Sequence, residues 1–304
     1  MIKKTLLLLG VLIVIYSVVF HLLPTSIIRS NFTQRNYIKV ENYFYESGAM
    51  KPVTIIGSSL STRIITDSIS DFYNLGLIGL SIQDGINVIL KKRHFPKLLL
   101  VETNFYLKKE SDYFLDPLLN PINYSIKKYI PLFRSDKPPI SVIGQQFTLF
   151  LKKKIRGYSV NTLKHVASKP GDFRQGPFNI TKKNYAILPD TVDVLQQLQK
   201  LKYKFTALEA AGVKIVFYEM PIHPQLINTP RYRYLNEQFR KTFNETHYTY
   251  IPTKNWQFQT TDGIHLNEPE SLIFTKYIQK WYQQFSGKMQ PSSSKSVEMS
   301  KNKF

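Results

Sequence analysis

The sequence predicts an α/β fold built on a parallel sheet. Short, largely apolar runs at Val53-Thr54-Ile55-Ile56, Leu98-Leu99-Leu100-Val101 and Val213-Lys214-Ile215-Val216-Phe217-Tyr218 have the length and the aliphatic or aromatic character of buried strands. Between them lie stretches with apolar residues at helical spacing, the alternation expected of β-α-β units. Polar residues with chemical capability directly follow the first two runs, which places them at the carboxyl edge of the sheet, where ligands bind in open α/β folds.

The chain opens with a different pattern. After Lys3 and Lys4, positions 5 to 23 carry no Asp, Glu, Lys or Arg, and about 20 apolar residues suffice for one bilayer-spanning helix. The basic start predicts a short cytoplasmic end with the rest outside, and no small-x-small cleavage site follows, so an uncleaved anchor is expected over 1–23. Residues 24–50 read as a juxtamembrane connector, 51–285 as one α/β domain, and 286–304, rich in Ser and Lys, as a disordered tail.

Within the domain, Gly57 predicts a sharp turn after the first strand, and the spacing beyond Leu60 predicts a helix. Ser58, Ser59 and Ser61 then sit either as helix caps or as a nucleophile beside free N–H groups. Asn74 to Gly79 lead into a helix over 81–95, with Ile82, Ile86, Ile89 and Leu90 on one face and Pro96 at its end. The second strand ends in Glu102-Thr103-Asn104. From about 106 to 189 the pattern loosens into prolines, aromatics and lysines, an insertion with short helices beside the ligand edge. Val192 to Ala211 is helical, Gly212 stops it, Tyr248 to Ile251 reads as a last strand, and Leu272 to Trp281 as a closing helix.

The C-terminal segment Asp262-Gly263-Ile264-His265 places a carboxylate and an imidazole on one turn. A serine hydroxyl becomes a useful nucleophile when an imidazole takes its proton and a carboxylate orients that imidazole, so Ser59, His265 and Asp262 together point to acyl transfer. The alternative for His265 alone is a structural histidine. With Asp262 it supplies two metal ligands, but no third is evident, no Gly-x-x-x-x-Gly-Lys phosphate loop occurs, and no cofactor is called for.

Four segments in this order, Gly57-Ser58-Ser59, Asn74 to Gly79, Glu102-Thr103-Asn104 and Asp262 to His265, resemble the blocks of the SGNH hydrolases, also called GDSL esterases and lipases. The resemblance covers about 52–105 and 212–282. It implies a three-layer α/β/α parallel sheet of SGNH or flavodoxin-like type, behind the one N-terminal transmembrane helix expected from the run over 5–23. It also implies a catalytic Ser59, His265 and Asp262, and an oxyanion hole made by the Ser59 and Gly79 N–H groups and the Asn104 amide. Three positions depart from the pattern: Ser58 stands where the family has Asp, Glu102 where it has Gly, and Phe105 where it has Asp. Similar anchored proteins act with membrane-bound O-acyltransferases, which implies such a partner and an anionic or acylated envelope glycan as substrate. A degenerate SGNH fold used as a glycan-binding or assembly subunit is the alternative.

Charge agrees with an anionic ligand. The chain has 41 Lys and Arg against 21 Asp and Glu, a formal net charge of +20, and no cysteine. Zero cysteines removes disulfides and thiolate nucleophiles. Lys152, Lys153 and Lys154 open a basic region running to Lys183, which reads as a polyanion surface or a solvated face; behind an export anchor, nucleic acid is not expected. His223, just after the third strand, is a candidate substrate contact or a fixed loop histidine. Arg231, Arg233 and Arg240 suit either an anionic ligand or a solvated helix face.

Overall fold

The computed structural model describes residues 2–22, 32–46, 50–67, 69–137, 173–253 and 258–289. Lys152, Lys153, Lys154 and the tail from 290 lie outside the described residues. In chain order the helices are α1 (Ile2–Leu22), α2 (Phe32–Tyr45), α3 (Ile82–Lys92), α4 (Asp116–Leu119), α5 (Pro121–Tyr129), α6 (Gln175–Ala186), α7 (Thr191–Ala210), α8 (Pro224–Ile227), α9 (Pro230–Thr242) and α10 (Glu268–Met289). The strands are β1 (Val53–Gly57), β2 (Phe72–Gly76), β3 (Leu98–Glu102), β4 (Lys214–Tyr218) and β5 (Thr249–Tyr250).

The five strands form one parallel sheet in the order β2-β1-β3-β4-β5, so β1 lies between β2 and β3. Every residue of β1 and β3 is buried, which explains their largely apolar character, with Thr54 and the terminal Glu102 as the exceptions. The two-residue pleat sorts their side chains. Ile56, Leu75, Leu99, Val101, Ile215 and Phe217 join one apolar cluster, which includes α2, α3, α7 and α9. Val53, Ile55, Leu98, Leu100, Val216 and Tyr218 join another with α6 and α10. Helices thus cover both faces, and the polar strand ends project from the carboxyl edge.

Local chemistry sets the helix ends. Ser81 caps α3 by a reciprocal capping box with Asp84, and the absent side chain of Gly85 lets α3 approach β1, since a Cβ there would lie 3.2 Å from Ile56. Asp190 accepts from the Val192 and Asp193 N–H groups at the start of α7, and Gly212 follows its end with φ +82°.

Three expectations change. The connector assigned to 24–50 contains α2, an integral part of the core: Val40, Tyr43 and Phe44, at helical spacing, are 0–3% exposed. The helix expected after Leu60 is a single 3-10 turn, Ser61–Arg63, because Asn74 Nδ2 captures the Ser61 and Ile64 carbonyls that a longer helix would use internally. The closing helix α10 extends through 286–289, which the sequence assigned to the disordered tail. At the other end, α1 exposes Leu7, Leu8, Leu9, Leu12 and Val14. Among the described residues no helix is long and apolar enough to cross a membrane.

Phe217 is the hub of the larger cluster, with Phe205, Phe239, Phe243, Tyr248 and Tyr250 all at ring-centroid distances of 5.0–5.5 Å. Phe217→Ala is expected to destabilise the fold by about 3–5 kcal/mol in chemical denaturation, through lost burial and the cavity left behind.

Candidate active site

Ser59 stands two residues beyond β1, at the carboxyl edge. The turn that carries it depends on Gly57: a Cβ there would come within 2.7 Å of the Glu102 Cβ, so a side chain does not fit without displacing β3. Glu102 ends β3 and is fully buried. Its carboxylate accepts from Ser58 N at 2.9 Å, Ser58 Oγ at 2.7 Å and Ser61 N at 3.1 Å, and also from the Ser61 hydroxyl. Tyr218 at the end of β4 shares a 2.6 Å bond with Ser61 Oγ. Burial pushes the Glu102 pKa up, while the four serine donors oppose that shift.

This network separates the three serines. Ser58 and Ser61 are buried with their hydroxyls committed, and Ser58 Oγ also accepts from Leu60 N at 3.2 Å. The N–H groups of Ser58, Leu60 and Ser61 are all spent. Among the described residues the Ser59 N–H has no acceptor, and Ser59 is partly exposed. Its hydroxyl lies 2.9 Å from His265 Nε2.

His265 is held from behind. Its Nδ1 lies 2.9 and 3.0 Å from the two Asp262 oxygens, and its own N–H donates to Asp262 Oδ1 at 3.0 Å. With Nδ1–H given to the carboxylate, Nε2 is left as the acceptor for the Ser59 hydroxyl. Burial raises the Asp262 pKa, but the His265 ring and backbone bonds, with the Ile264 N–H, outweigh it and bring the pKa down to about 2. Arg174 adds an ion pair to Asp262 Oδ2 at 2.8 Å.

The loop carrying Asp262 and His265 is fixed by α6. Arg174 N donates to Thr261 O at 2.7 Å, and Phe178 packs where a side chain on Gly263 would lie, a glycine that also takes φ +92°. His223 belongs to this support. Its N–H donates to Gly263 O at 2.7 Å, its Nδ1 accepts from Gln225 N to cap α8, and its ring lies 4.7 Å from Phe178. Burial, then Lys182, lowers its pKa. The geometry therefore employs His223 in the loop.

Gly79 and Asn104 flank Ser59 from the neighbouring strands, beyond the ends of β2 and β3. Gly79, at φ +72°, is exposed, and its N–H has no acceptor among the described residues. Asn36 on α2 fixes the turn before it by a two-way bond with Ile78, both distances 2.8 Å. Asn104 is anchored to Met220 by an equivalent pair, Nδ2 to O at 2.9 Å and N to Oδ1 at 2.8 Å, which leaves one amide hydrogen for another acceptor.

The structure thus brings Ser59, His265 and Asp262 into one hydrogen-bonded chain and sets Gly79 and Asn104 on either side of it. Sequence reasoning missed Asn36, Arg174 and Tyr218, and treated Glu102 as a departure only. An Asn inside an apolar helical face was the one readable signal for Asn36. Among the described residues no group of three metal-ligating side chains occurs. Comparison with known proteins finds no matching family model, no matching curated protein and no matching solved structure.

Glu102→Gln keeps the shape but replaces an acceptor with a donor facing serine donors. We expect a loss of about 1–3 kcal/mol in denaturation and at least a tenfold slower reaction of Ser59 with a small phosphonate. Asp262 makes a different, pH-dependent contribution. Because its folded pKa of about 2 lies below the ordinary 3.8, its stabilising effect is present above pH 4 and fades as pH falls towards 2. Wild type should therefore melt above Asp262→Asn from pH 5 to 8, with the gap closing below pH 4 in calorimetry.

Proposed function

We propose that the protein is a serine ester hydrolase or O-acyltransferase acting on acylated cell-envelope glycans through an acyl-Ser59 intermediate, on a three-layer α/β/α frame of the SGNH type. The observation that carries this reading is the unbroken chain from Ser59 Oγ to His265 Nε2 and from His265 Nδ1 to Asp262, beside an unspent Ser59 N–H.

In this mechanism the Ser59 oxygen attacks the ester carbonyl carbon while His265 Nε2 takes the hydroxyl proton. The carbonyl oxygen becomes an oxyanion and is received by the Ser59 and Gly79 N–H groups and the remaining Asn104 amide hydrogen. One such donor is worth roughly 3 kcal/mol of transition-state stabilisation. As the tetrahedral intermediate collapses, the bond to the alcohol oxygen breaks and His265 returns its proton to that leaving oxygen. A water or an acceptor hydroxyl then gives a proton to His265 and attacks the acyl carbon, and as the bond from that carbon to Ser59 Oγ breaks, His265 returns the proton to Ser59 Oγ. Asp262 keeps the imidazole in the required tautomer and balances its charge throughout.

Which acceptor wins depends on positioning, since bound orientation is worth several kcal/mol. We read α1 as an anchor that keeps the domain outside the membrane near an envelope donor, with a membrane-bound O-acyltransferase as partner. Support for the anchor is the uncharged apolar run over 5–23 and its exposed leucines. Membrane attachment and a fixed polymer acceptor both favour transfer over hydrolysis.

Labelling with a fluorophosphonate, followed by mapping of the modified peptide, tests the reading. Modification is expected at Ser59, abolished in Ser59→Ala and reduced about a hundredfold or more in His265→Ala. Modification at Ser58 or Ser61, or labelling indifferent to His265, would overturn it.

A further inference from the structure

The carboxyl edge widens, beside Asn104 and Ile264, into a cavity of about 560 Å³ between α6, α9 and the ends of β3 to β5. That volume is within the usual range of small-ligand sites. It begins at two residues of the candidate site itself: Asn104, and the neighbour of His265.

The walls are rich in tyrosine. Tyr106, Tyr185, Tyr232 and Tyr250 all line the cavity; the hydroxyls of Tyr106, Tyr232 and Tyr250 donate within the protein, which fixes those rings, and partly exposed rings such as Tyr185 and Tyr232 can bury the C–H face of a sugar with little side-chain entropy loss. The charge is one-sided. Lys108, Arg231 and Arg240 line the cavity against a single carboxyl group, Glu219.

That carboxyl group is already engaged within the wall. It accepts the Tyr232 hydroxyl bond, and burial raises its pKa against the opposing effects of that bond and of Arg240. An anion entering the cavity thus meets three cationic side chains and one carboxyl group that is already hydrogen-bonded. The two arginines differ in availability. Arg240 is paired with Glu245 and lies over the Tyr250 ring at 4.5 Å, so it contributes field more than free donors. Arg231 Nη1 donates to the Ile187 carbonyl at 3.0 Å, and its other N–H groups have no acceptor among the described residues. Lys108 is exposed and makes no ion pair among the described residues.

We propose that this cavity is the subsite for an oxyanion-bearing saccharide, gripped by Arg231 and Lys108 and stacked on its tyrosines, which delivers an acyl group to Ser59 or receives one from it. The proposal rests on the acyl-Ser59 reading and narrows its substrate to anionic glycans. It places a polymer contact on the wall formed by α9 and the loop after β3. The bound sugar changes no covalent bond in the cavity itself; its carboxylate or phosphate replaces water around Arg231, a charge-assisted contact of the stronger kind.

The test uses the full-length Ser59→Ala chain in detergent and three probes: a galacturonate tetrasaccharide, a glycerol phosphate tetramer and neutral maltotetraose. Calorimetric titration should show one or both anionic probes binding at least tenfold more tightly than maltotetraose, and the better anionic probe identifies the oxyanion as carboxylate or phosphate. Adding Arg231→Gln should weaken the anionic probes about tenfold, and Lys108→Gln, on an exposed loop that does not threaten folding, about threefold. Equal binding of all three probes, or unchanged anionic affinity in both variants, would overturn the proposal. Fluorophosphonate labelling of the wild-type chain runs in parallel and reports separately on the acyl-serine reading. Labelling without anion-selective binding removes the subsite alone, while anion-selective binding without labelling keeps the subsite and removes the acyl chemistry.

Discussion

A buried carboxylate holds the nucleophile turn in shape. Glu102 takes two backbone and two hydroxyl hydrogen bonds from Ser58 and Ser61, and an acceptor of that capacity is what allows a tight turn of polar groups to be buried at the end of two central strands. The consequence is selective. Within the turn from Ser58 to Ser61 every N–H is consumed except that of Ser59, and of its three serine hydroxyls only the one that faces His265 is not committed inward. Gly57 completes the constraint by leaving room for the carboxylate against β1.

The strand order does the remaining positioning. Because β1 lies between β2 and β3, the residues that follow those two strands must emerge on either side of Ser59. Two asparagines then fix these flanks by paired backbone bonds, Asn36 to Ile78 and Asn104 to Met220. The fourth contributor comes from much later in the chain, where α6 packs Phe178 and Arg174 against the loop that holds Asp262 and His265. Rigid support on three sides lets a polar site exist at a sheet edge without collapsing onto itself.

Much of this arrangement was legible in the residues. β1, β3 and β4 announced themselves because strands buried on both faces are largely apolar, and Ser59, Asp262 and His265 could be paired because each chemistry requires the others. What escaped detection depends on contacts between segments far apart in sequence. The mixed composition of α2 hid a core helix, since Val40, Tyr43 and Phe44 occupy a narrow stripe among polar neighbours. The helix expected after Leu60 fails because Asn74, on another strand, captures its carbonyls. Glu102 looked like a departure at the end of an apolar strand, and only the proximity of Ser58 and Ser61 gives it a purpose.

The account stands most directly on where charge would collect during reaction. A crystal structure of the chain phosphonylated by a fluorophosphonate would place a tetrahedral phosphorus, a mimic of the acyl intermediate, on the modified side chain. The account predicts phosphorus on Ser59 Oγ, with the phosphonyl oxygen about 2.7–3.1 Å from the Ser59 and Gly79 nitrogens and from Asn104 Nδ2. Phosphorus on a different residue, or an oxygen turned to solvent away from all three donors, would contradict it.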